Sequence, residues 1–264
     1  MPDDAPRLGH AILAMHDPHP GFERAFNRWY EDDHMLGAGS MAPWTIAVAR
    51  YVATKDCKDL RYPAEGPFGP ASRGSYLALY WIQDGHLEDQ QAWVTEQMVV
   101  IGEQGRMFEH RDAVTATTYD LARTVARAAD GVPPVLALHR NYPGAVLVVL
   151  ERSPETSLDA LTDWFCDDWM APRLAGSTVD QAIVFAPRPK EPWWPAAYPE
   201  VAGVGDRRFA VCFTTGDPRD AWDTHFRGLG QAAEAAGVGN VMLAAPFLAC
   251  VIGTETHAER LWDD

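Results

Sequence analysis

The chain has 264 residues, of which 47% are hydrophobic, and its formal net charge at pH 7 is −15. This length and apolar fraction suffice for a full hydrophobic core and suit two domains of ordinary size better than one. Because no cluster of Lys or Arg offsets the acidic balance, nucleic acid and membrane surfaces are excluded as expected partners.

The start of the chain and the cysteines argue for a simple intracellular protein. Residues 1–4 have no positive charge and open no apolar run of signal-peptide type, and no stretch of the chain reaches membrane-spanning length. A cytoplasmic protein is therefore predicted. The four cysteines, at positions 57, 166, 212 and 250, lie far apart, which indicates neither a disulfide framework nor a zinc knuckle.

The first half of the chain alternates between strand-like and helix-like segments. Strands are predicted at 9–16, 45–53, 75–82 and 111–119. Pro20 suits the first turn of a helix that carries Trp29 and His34, and a second helix is predicted at 86–104. The order strand-helix-strand-strand-helix-strand is that of a ferredoxin-like domain.

The second half is predicted to repeat this order after a linker. The linker lies near residues 130–134, where Gly and Pro end an Ala- and Arg-rich stretch of helical character. Strands are predicted at 145–151, 181–186, 208–214 and 240–252, and helices at 157–170 and 218–236. Two ferredoxin-like domains follow, spanning 1–131 and 132–264.

One heptad occurs in both halves, and the two copies differ at the position that carries a histidine in the first copy. Trp29–Met35 returns 135 residues later as Trp164–Met170, with Trp, both Asp and Met kept, but Trp169 stands where the first copy has His34. The flanking strands keep the same offset, so we interpret the pattern as an internal duplication. Chemistry that uses this histidine then has one site per chain.

The predicted fold is an α+β barrel. A four-stranded antiparallel sheet with both helices on one side leaves its other face apolar and uncovered. Two such sheets in one chain can place these faces against each other. The result would be an intramolecular pseudo-dimeric α+β barrel with a cavity between the sheets. Whether that cavity is open or is filled by the large side chain of Trp169 is left undecided by the sequence.

The pattern Trp29-Tyr30-x-x-x-His34 resembles the EthD-like branch of the dimeric α+β barrel superfamily. The resemblance covers most of the chain in element order but only about ten residues per repeat in motif. It implies paired ferredoxin-like domains, with Trp29, Tyr30 and His34 as functional residues. Relatives include cofactor-independent quinol monooxygenases, polyketide cyclases and dehydratases, muconolactone-type isomerases and haem-degrading oxygenases. The chain departs from the pattern at Leu36, where relatives often have Pro.

Chemically, His34 and Tyr30 are the candidate catalytic pair. The ordinary pKa of histidine, about 6.5, allows proton transfer near neutral pH, and Tyr30 lies one helical turn before His34. The alternative for His34 is a hydrogen-bonded histidine near a helix end. Asp33 could contact a ligand, although the Asp32-Asp33 pair occurs in both heptads, which favours a structural role.

Further candidate ligand contacts are aromatic or lie on predicted inward faces. Aromatic side chains could line a pocket for a flat apolar molecule or simply pack in the core; those expected at the pocket are Trp29, Trp44, Tyr76, Tyr80 and Trp169. His10 shares a strand face with Ile12 and Ala14, which either faces the barrel interior or leaves a solvated histidine. His16 is expected at an exposed turn, and Trp193-Trp194 at a lid or interface.

The sequence predicts an enzyme without a cofactor. His34 would act as general acid or base on an aromatic or polyketide-like substrate, in a dehydration, cyclisation or isomerisation. Cofactor-free oxygenation of a phenol or quinol is the rival reaction, and a binding module for haem or a hydrophobic metabolite is the non-enzymatic alternative. No metal-ligand motif is present, so no metal site is predicted. Pairing of the chain with a second copy stays open.

Overall fold

The computed structural model describes residues 5–191, 201 and 203–262. The strands are β1 (Leu8–Pro18), β2 (Thr45–Val52), β3 (Glu65–Gly66), β4 (Gly69–Pro70), β5 (Tyr76–Gln83), β6 (Arg111–Ala126), β7 (Gly144–Arg152), β8 (Val179–Pro187), β9 (Arg207–Thr214) and β10 (Gly239–Ala249). The α-helices are α1 (Glu23–Trp29), α2 (Lys55–Lys58), α3 (Leu87–Glu103), α4 (Leu158–Asp163), α5 (Ala171–Leu174) and α6 (Leu229–Ala235).

Wider and tighter helical turns complete the elements. The π-helical segments are Tyr30–His34, Leu36–Ser40, Trp164–Met170 and Trp222–Phe226. The 3₁₀-helical segments are Pro134–Arg140, Pro218–Ala221 and Ala258–Arg260. Within the described residues, no helix combines the length and apolar character needed to cross a membrane.

Eight strands form one closed antiparallel barrel in the described structure, in the order β1-β5-β2-β10-β7-β9-β8-β6. The first half supplies the run β6-β1-β5-β2 and the second half the run β10-β7-β9-β8. In each run the last strand of the half lies beside the first, which is the ferredoxin-like strand order. The predicted α+β barrel fold is therefore confirmed. That the two halves arose by duplication stays an interpretation of the repeated heptad.

The two seams between the halves differ in length. Along one seam β10 pairs with β2 only through Leu248 with Val52 and Ala249 with Tyr51. Along the other, β6 pairs with β8 from Tyr119 to Ala126. The last part of β6 belongs to the Ala- and Arg-rich stretch that was predicted to be helical, and this prediction is wrong. Strand pairing with the other half overrides the helical propensity of these residues.

The inside of the barrel is a packed core. Trp81 and Phe185 meet with ring centroids 5.4 Å apart, and Tyr119 and Phe209 with centroids 4.8 Å apart. All four side chains are at most 2% exposed. The space between the two sheets is therefore filled and not open, because large side chains from both halves meet in the middle, and Trp169 is not among them.

The helices lie on the outside of the barrel and cover the two halves unequally. In the second half Leu161, Phe165 and Trp222 pack on the outer face of β7, where they join one buried cluster with Val146 and Val148. In the first half α1, α3 and the π-helical turns after α1 leave a gap above the sheet. This gap is the candidate site.

Candidate active site

A cavity of about 450 Å³ lies between the outer face of the N-terminal sheet and its helices. This volume falls in the range of small-molecule sites. The lining residues are Ile12, Ala14, His16, Tyr30, His34, Ala38, Gly39, Tyr80, Gln91, Val94, Thr95, Met98, Val99, Met107 and Ala116. Most of them are apolar, and the titratable ones are two histidines and two tyrosines.

The π-helical turn after α1 carries Tyr30 and His34 to the cavity wall. The Met35 N–H donates to the Tyr30 carbonyl, which gives the wider turn. The His34 ring stacks on Trp29 at 4.5 Å and meets the edge of Tyr30 at 5.3 Å. Such turns occur often at functional sites, but Trp164–Met170 has the same geometry. The π turn thus belongs to the heptad in both halves and does not by itself mark the site.

His34 is neutral at physiological pH. Burial lowers its pKa to about 4, and the positive charge of Arg111 acts in the same direction. The side chain is 8% exposed. Its Nδ1 is buried and has no hydrogen-bond partner in the part of the chain that is described. The wall of the cavity therefore presents a neutral imidazole that can accept a proton or bind a ligand.

His16 is the second histidine of the cavity, and its predicted exposure is wrong. The side chain is 3% exposed, and its ring lies 5.6 Å from that of Tyr30. Burial lowers its pKa well below the ordinary value. Strand β1 continues past His16 to Pro18, so the turn expected at this point comes later. The sequence contained a signal for this placement, because His16 shares its strand face with Ile12 and Ala14, which also line the cavity.

Two tyrosine hydroxyls form the polar edge of the same wall. The Oη atoms of Tyr30 and Tyr80 lie 2.9 Å apart. The ring of Tyr80 fits against the backbone of Gly39, where an added Cβ would meet Cε1 of Tyr80 at 2.2 Å. A glycine is therefore required at position 39 for Tyr80 to occupy this place.

A buried ion pair lies behind Tyr30, and the sequence analysis missed it. Nη1 of Arg50 donates to Oε1 of Glu31 at 2.6 Å, and both side chains are at most 3% exposed. The guanidinium carbon lies 4.4 Å from the ring centroid of Tyr30 and 5.0 Å from that of Tyr76. An arginine in the middle of an otherwise apolar strand was the signal that could have found it. The pair fixes the π turn to β2.

Trp29 and Asp33 lie next to the cavity but do not line it. The Trp29 indole N–H donates to the carbonyl of Arg106 at 2.6 Å, and Nε of Arg106 donates to Oδ2 of Asp33 at 2.9 Å. The Arg106 guanidinium holds the pKa of the Asp33 carboxyl below its ordinary value. These contacts fasten the segment after α3, which brings Met107 to the cavity.

Two other predicted ligand contacts lie outside the cavity. Nδ1 of His10 is 2.8 Å from Oδ1 of Asp120 on the neighbouring strand. Trp44 is exposed and stacks on His86 at 3.6 Å. Neither residue is part of the cavity lining: His10 lies on β1, which contributes to the wall, and Trp44 lies in the turn before β2.

Tyr76 and Trp169 are buried elsewhere, and Trp193-Trp194 lies outside the described residues. Tyr76 packs on Phe26 with ring centroids 5.2 Å apart, beside the ion pair. Trp169 belongs to the core of the second half, where its indole N–H donates to the His225 carbonyl at 2.8 Å. The copy of the heptad without histidine therefore packs its aromatic ring between helix and sheet.

No protein-family model matches this sequence, and no curated protein does. Solved structures do. A candidate monooxygenase from Fusobacterium nucleatum is 7% identical, with 92% of each chain covered and a TM-score of 0.52. An anthrone oxidase-like protein is 12% identical, again with 92% of each chain covered and a TM-score of 0.50.

A third similar structure corrects the expectation about cofactors. It is a variant of DypB from Rhodococcus jostii in complex with heme, 9% identical, with 93% of this chain and 94% of that chain covered and a TM-score of 0.50. A protein of this fold thus holds haem. The prediction that the protein uses no cofactor is therefore wrong, because this fold does accommodate one. At these identities the likenesses show the fold alone: the chain has the dimeric α+β barrel fold, with both halves of the barrel supplied by one polypeptide.

Proposed function

We propose that the N-terminal cavity is the active site of an enzyme that acts on a flat, apolar molecule of aromatic or polyketide type. In this proposal His34 removes a proton from a carbon or hydroxyl group of the bound molecule. The observation that carries the proposal is the neutral, buried imidazole of His34 in the wall of an otherwise mostly apolar cavity.

The cause of the low pKa of His34 makes this pKa compatible with the role of a general base. A base with a pKa near 4 is weak, and general-base catalysis is most efficient when the pKa is near the working pH. Burial is the largest cause of the low pKa, and the charges of Arg111, Arg50 and Arg106 also disfavour the protonated ring, whereas Asp33 acts in the opposite direction. Arg50 and Arg106 are balanced by Glu31 and Asp33, so the charge of Arg111 is the one that would stabilise an anion formed on the substrate. Once that anion is present, it also stabilises the imidazolium.

Oxidation of an anthrone-like substrate is the reaction that the comparisons support best. His34 would take a proton from the methylene carbon of anthrone, and the electron pair of the C–H bond would delocalise onto the ring and its oxygen. Molecular oxygen then oxidises this anion, so that one anthrone and one O₂ give one anthraquinone and one water. Dehydration, cyclisation and isomerisation begin with the same proton removal.

The first test separates proton transfer from oxidation. Purified protein is mixed with anthrone in deuterated buffer without oxygen, and loss of the methylene proton signal is followed by nuclear magnetic resonance. In air, anthraquinone formation is followed by absorbance. We expect His34→Ala to lower both rates about 100-fold or more, in line with the usual contribution of a general base. The control is His139→Ala, at an exposed position outside the cavity lining.

The outcomes of this test are distinct. If His34→Ala exchanges deuterium as fast as the wild type, the proposed role of His34 is wrong. If exchange depends on His34 but no anthraquinone forms in air, the proton-transfer role stands and the reaction is one of the non-oxidative ones. Circular dichroism of each variant shows whether the fold is kept.

Haem binding is the second candidate function, and it is favoured by the same histidine. A neutral imidazole in an apolar cavity suits a ligand of haem iron, and His34 would hold the group. The lining includes no Lys or Arg among the described residues that could pair with the propionates. Haem, when bound, supplies one-electron and oxygen chemistry.

Haemin titration followed by visible spectroscopy tests this alternative directly. A sharp Soret band that saturates at one haem per chain and is lost in His34→Ala would establish His34 as the ligand. A titration in which wild type and His34→Ala give the same weak, unsaturated response would exclude haem ligation by His34.

A further inference from the structure

We propose that His16 is a second catalytic residue of this cavity, one that donates a hydrogen bond from its ring N–H to the substrate oxygen on which negative charge develops. This inference rests on the proposed function, because it describes how the cavity stabilises the anion that His34 generates.

The first observation is the placement of the two histidines. His16 enters the cavity from strand β1 and His34 from the π turn after α1, so they approach a ligand from the sheet and from the helices. The described residues that line the cavity include no other histidine. Both rings contact the Tyr30 ring, with centroids 5.6 Å and 5.3 Å away. The two imidazoles therefore both lie beside the Tyr30 ring in the cavity wall.

The second observation is that nothing in the described protein uses the polar atoms of the His16 ring. Its ring contacts are with the aromatic side chains Phe26 and Tyr30. No hydrogen bond from this ring to another side chain or backbone group is found within the described ranges, and its nitrogens are not among the fully enclosed atoms without a partner. The ring nitrogens therefore stay open to the cavity, where a ligand can accept a hydrogen bond from the N–H.

The third observation is the charge state of the ring and its surroundings. Burial first, and then the charges of Arg111, His34 and Arg50, disfavour a proton on His16, so its ring is neutral. The Arg50 charge is balanced by Glu31. A neutral imidazole has one N–H donor and one acceptor nitrogen, and it can polarise a carbonyl oxygen without being charged.

The step balances with these two residues alone. The proton leaves the carbon of the substrate and moves to His34. The electron pair of the broken C–H bond forms a carbon–carbon double bond, and the electrons of the carbonyl bond move onto oxygen. His16 keeps its proton throughout and donates the hydrogen bond that stabilises this oxygen, as in an oxyanion hole.

A coloured phenol tests the anion-stabilising role without turnover. Alizarin is a flat hydroxyanthraquinone whose absorption spectrum reports ionisation of its hydroxyl group. In metal-free buffer we expect the wild-type protein to lower the pKa of bound alizarin by about one unit, which is a tenfold preference for the anion. We expect His16→Phe, which keeps a flat buried ring without a donor, to lose most of this shift. His16→Gln restores an N–H donor and should recover part of it.

Turnover gives an independent readout. With anthrone, His16→Phe should lower kcat at least tenfold and change KM little, because the hydrogen bond strengthens as charge develops. An alizarin shift that is the same in wild type and His16→Phe overturns the proposal, and so does a wild type that binds no alizarin. Failure of the function proposed for His34 looks different: deuterium exchange is then independent of His34 while the alizarin shift still depends on His16.

Discussion

At the scale of single residues, burial converts two histidines into neutral groups. His34 and His16 lie in the same cavity wall, and for both of them burial is the main reason for a lowered pKa. The side chain that a sequence reader would choose, His34, was recognisable from the heptad. Its partner was missed, because the strand was predicted to end at residue 16, whereas β1 continues to Pro18, so His16 was expected beside a turn. The alternation of side chains along β1 predicted which face of the strand carries His16, but it did not predict that His16 is buried.

The first prediction concerns pH and stability. The unfolded chain protonates His34 near its ordinary pKa of about 6.5, whereas the folded chain does so near pH 4. Between these values the unfolded state binds more protons, so stability falls as the pH is lowered from about 6.5 to 4. For His34 this loss is on the order of 3 kcal/mol. Urea unfolding at a series of pH values measures it.

The matched variant for this prediction is His34→Phe, which keeps a buried ring that does not titrate. We expect its free energy of unfolding to fall less steeply than that of the wild type below pH 6.5, with a residual slope from His16. His139→Phe, at an exposed site, should leave the slope unchanged. Parallel curves for wild type and His34→Phe would contradict the prediction.

At the scale of elements, the site depends on how the turn after α1 is fastened to the sheet. The sequence predicted a helix at this position and the strand that carries Arg50. It did not predict the ion pair between Arg50 and Glu31, because the two residues come together only when the helix packs on the sheet. The pair places the Tyr30 ring, and with it the hydroxyl that faces Tyr80.

The second prediction tests this ion pair. Glu31→Gln leaves a buried guanidinium without its counter-charge, so we expect a loss of about 3 kcal/mol in the free energy of unfolding. The double variant Glu31→Gln/Arg50→Met removes both charges and should lose clearly less than the single variant. Guanidinium chloride unfolding of the three proteins measures the difference. A double variant less stable than Glu31→Gln would show that the pair does not act as a charge pair.

The third prediction concerns the contact between Gly39 and Tyr80. A methyl group at position 39 would overlap the Tyr80 ring, so Gly39→Ala should displace that ring into the cavity and weaken alizarin binding at least tenfold. The overlap should also cost about 1–3 kcal/mol of stability.

Gly102→Ala in α3 is the control, because an added Cβ there meets no atom within 4 Å. It should keep the affinity and stabilise the helix by up to about 1 kcal/mol. Equal affinity in the two variants would argue against this role of Gly39.

At the scale of the whole molecule, the two halves complete each other. Residues from both halves fill the barrel, and each half supplies one partner strand at each seam. Within the described residues, the cavity lies beneath the helices of the first half. In the second half Trp169, Trp222 and Phe226 are buried in that region, each at most 8% exposed.

The fourth prediction follows from the shared core. The segment 1–131 alone would expose the inner face of its sheet, including Trp81, together with the unpaired edges of β2 and β6. We expect it to aggregate or to pair with a second copy, and we expect co-expression with 132–264 to give a one-to-one complex. Size-exclusion chromatography with light scattering distinguishes these states. A monomeric 1–131 segment that unfolds cooperatively would contradict the prediction.

The sequence by itself determined the order of strands and helices, the ferredoxin-like pattern in each half, and the placement of Tyr30 and His34 on one helical stretch. These features depend on local periodicity and on residue types that are neighbours in the chain. Only the tertiary structure decided where the cavity lies, that His16 and Tyr80 share it, and that Trp169 is core. Alternation shows which side chains share a face of a strand, but the space left above that face depends on the volumes of side chains from distant segments that meet there.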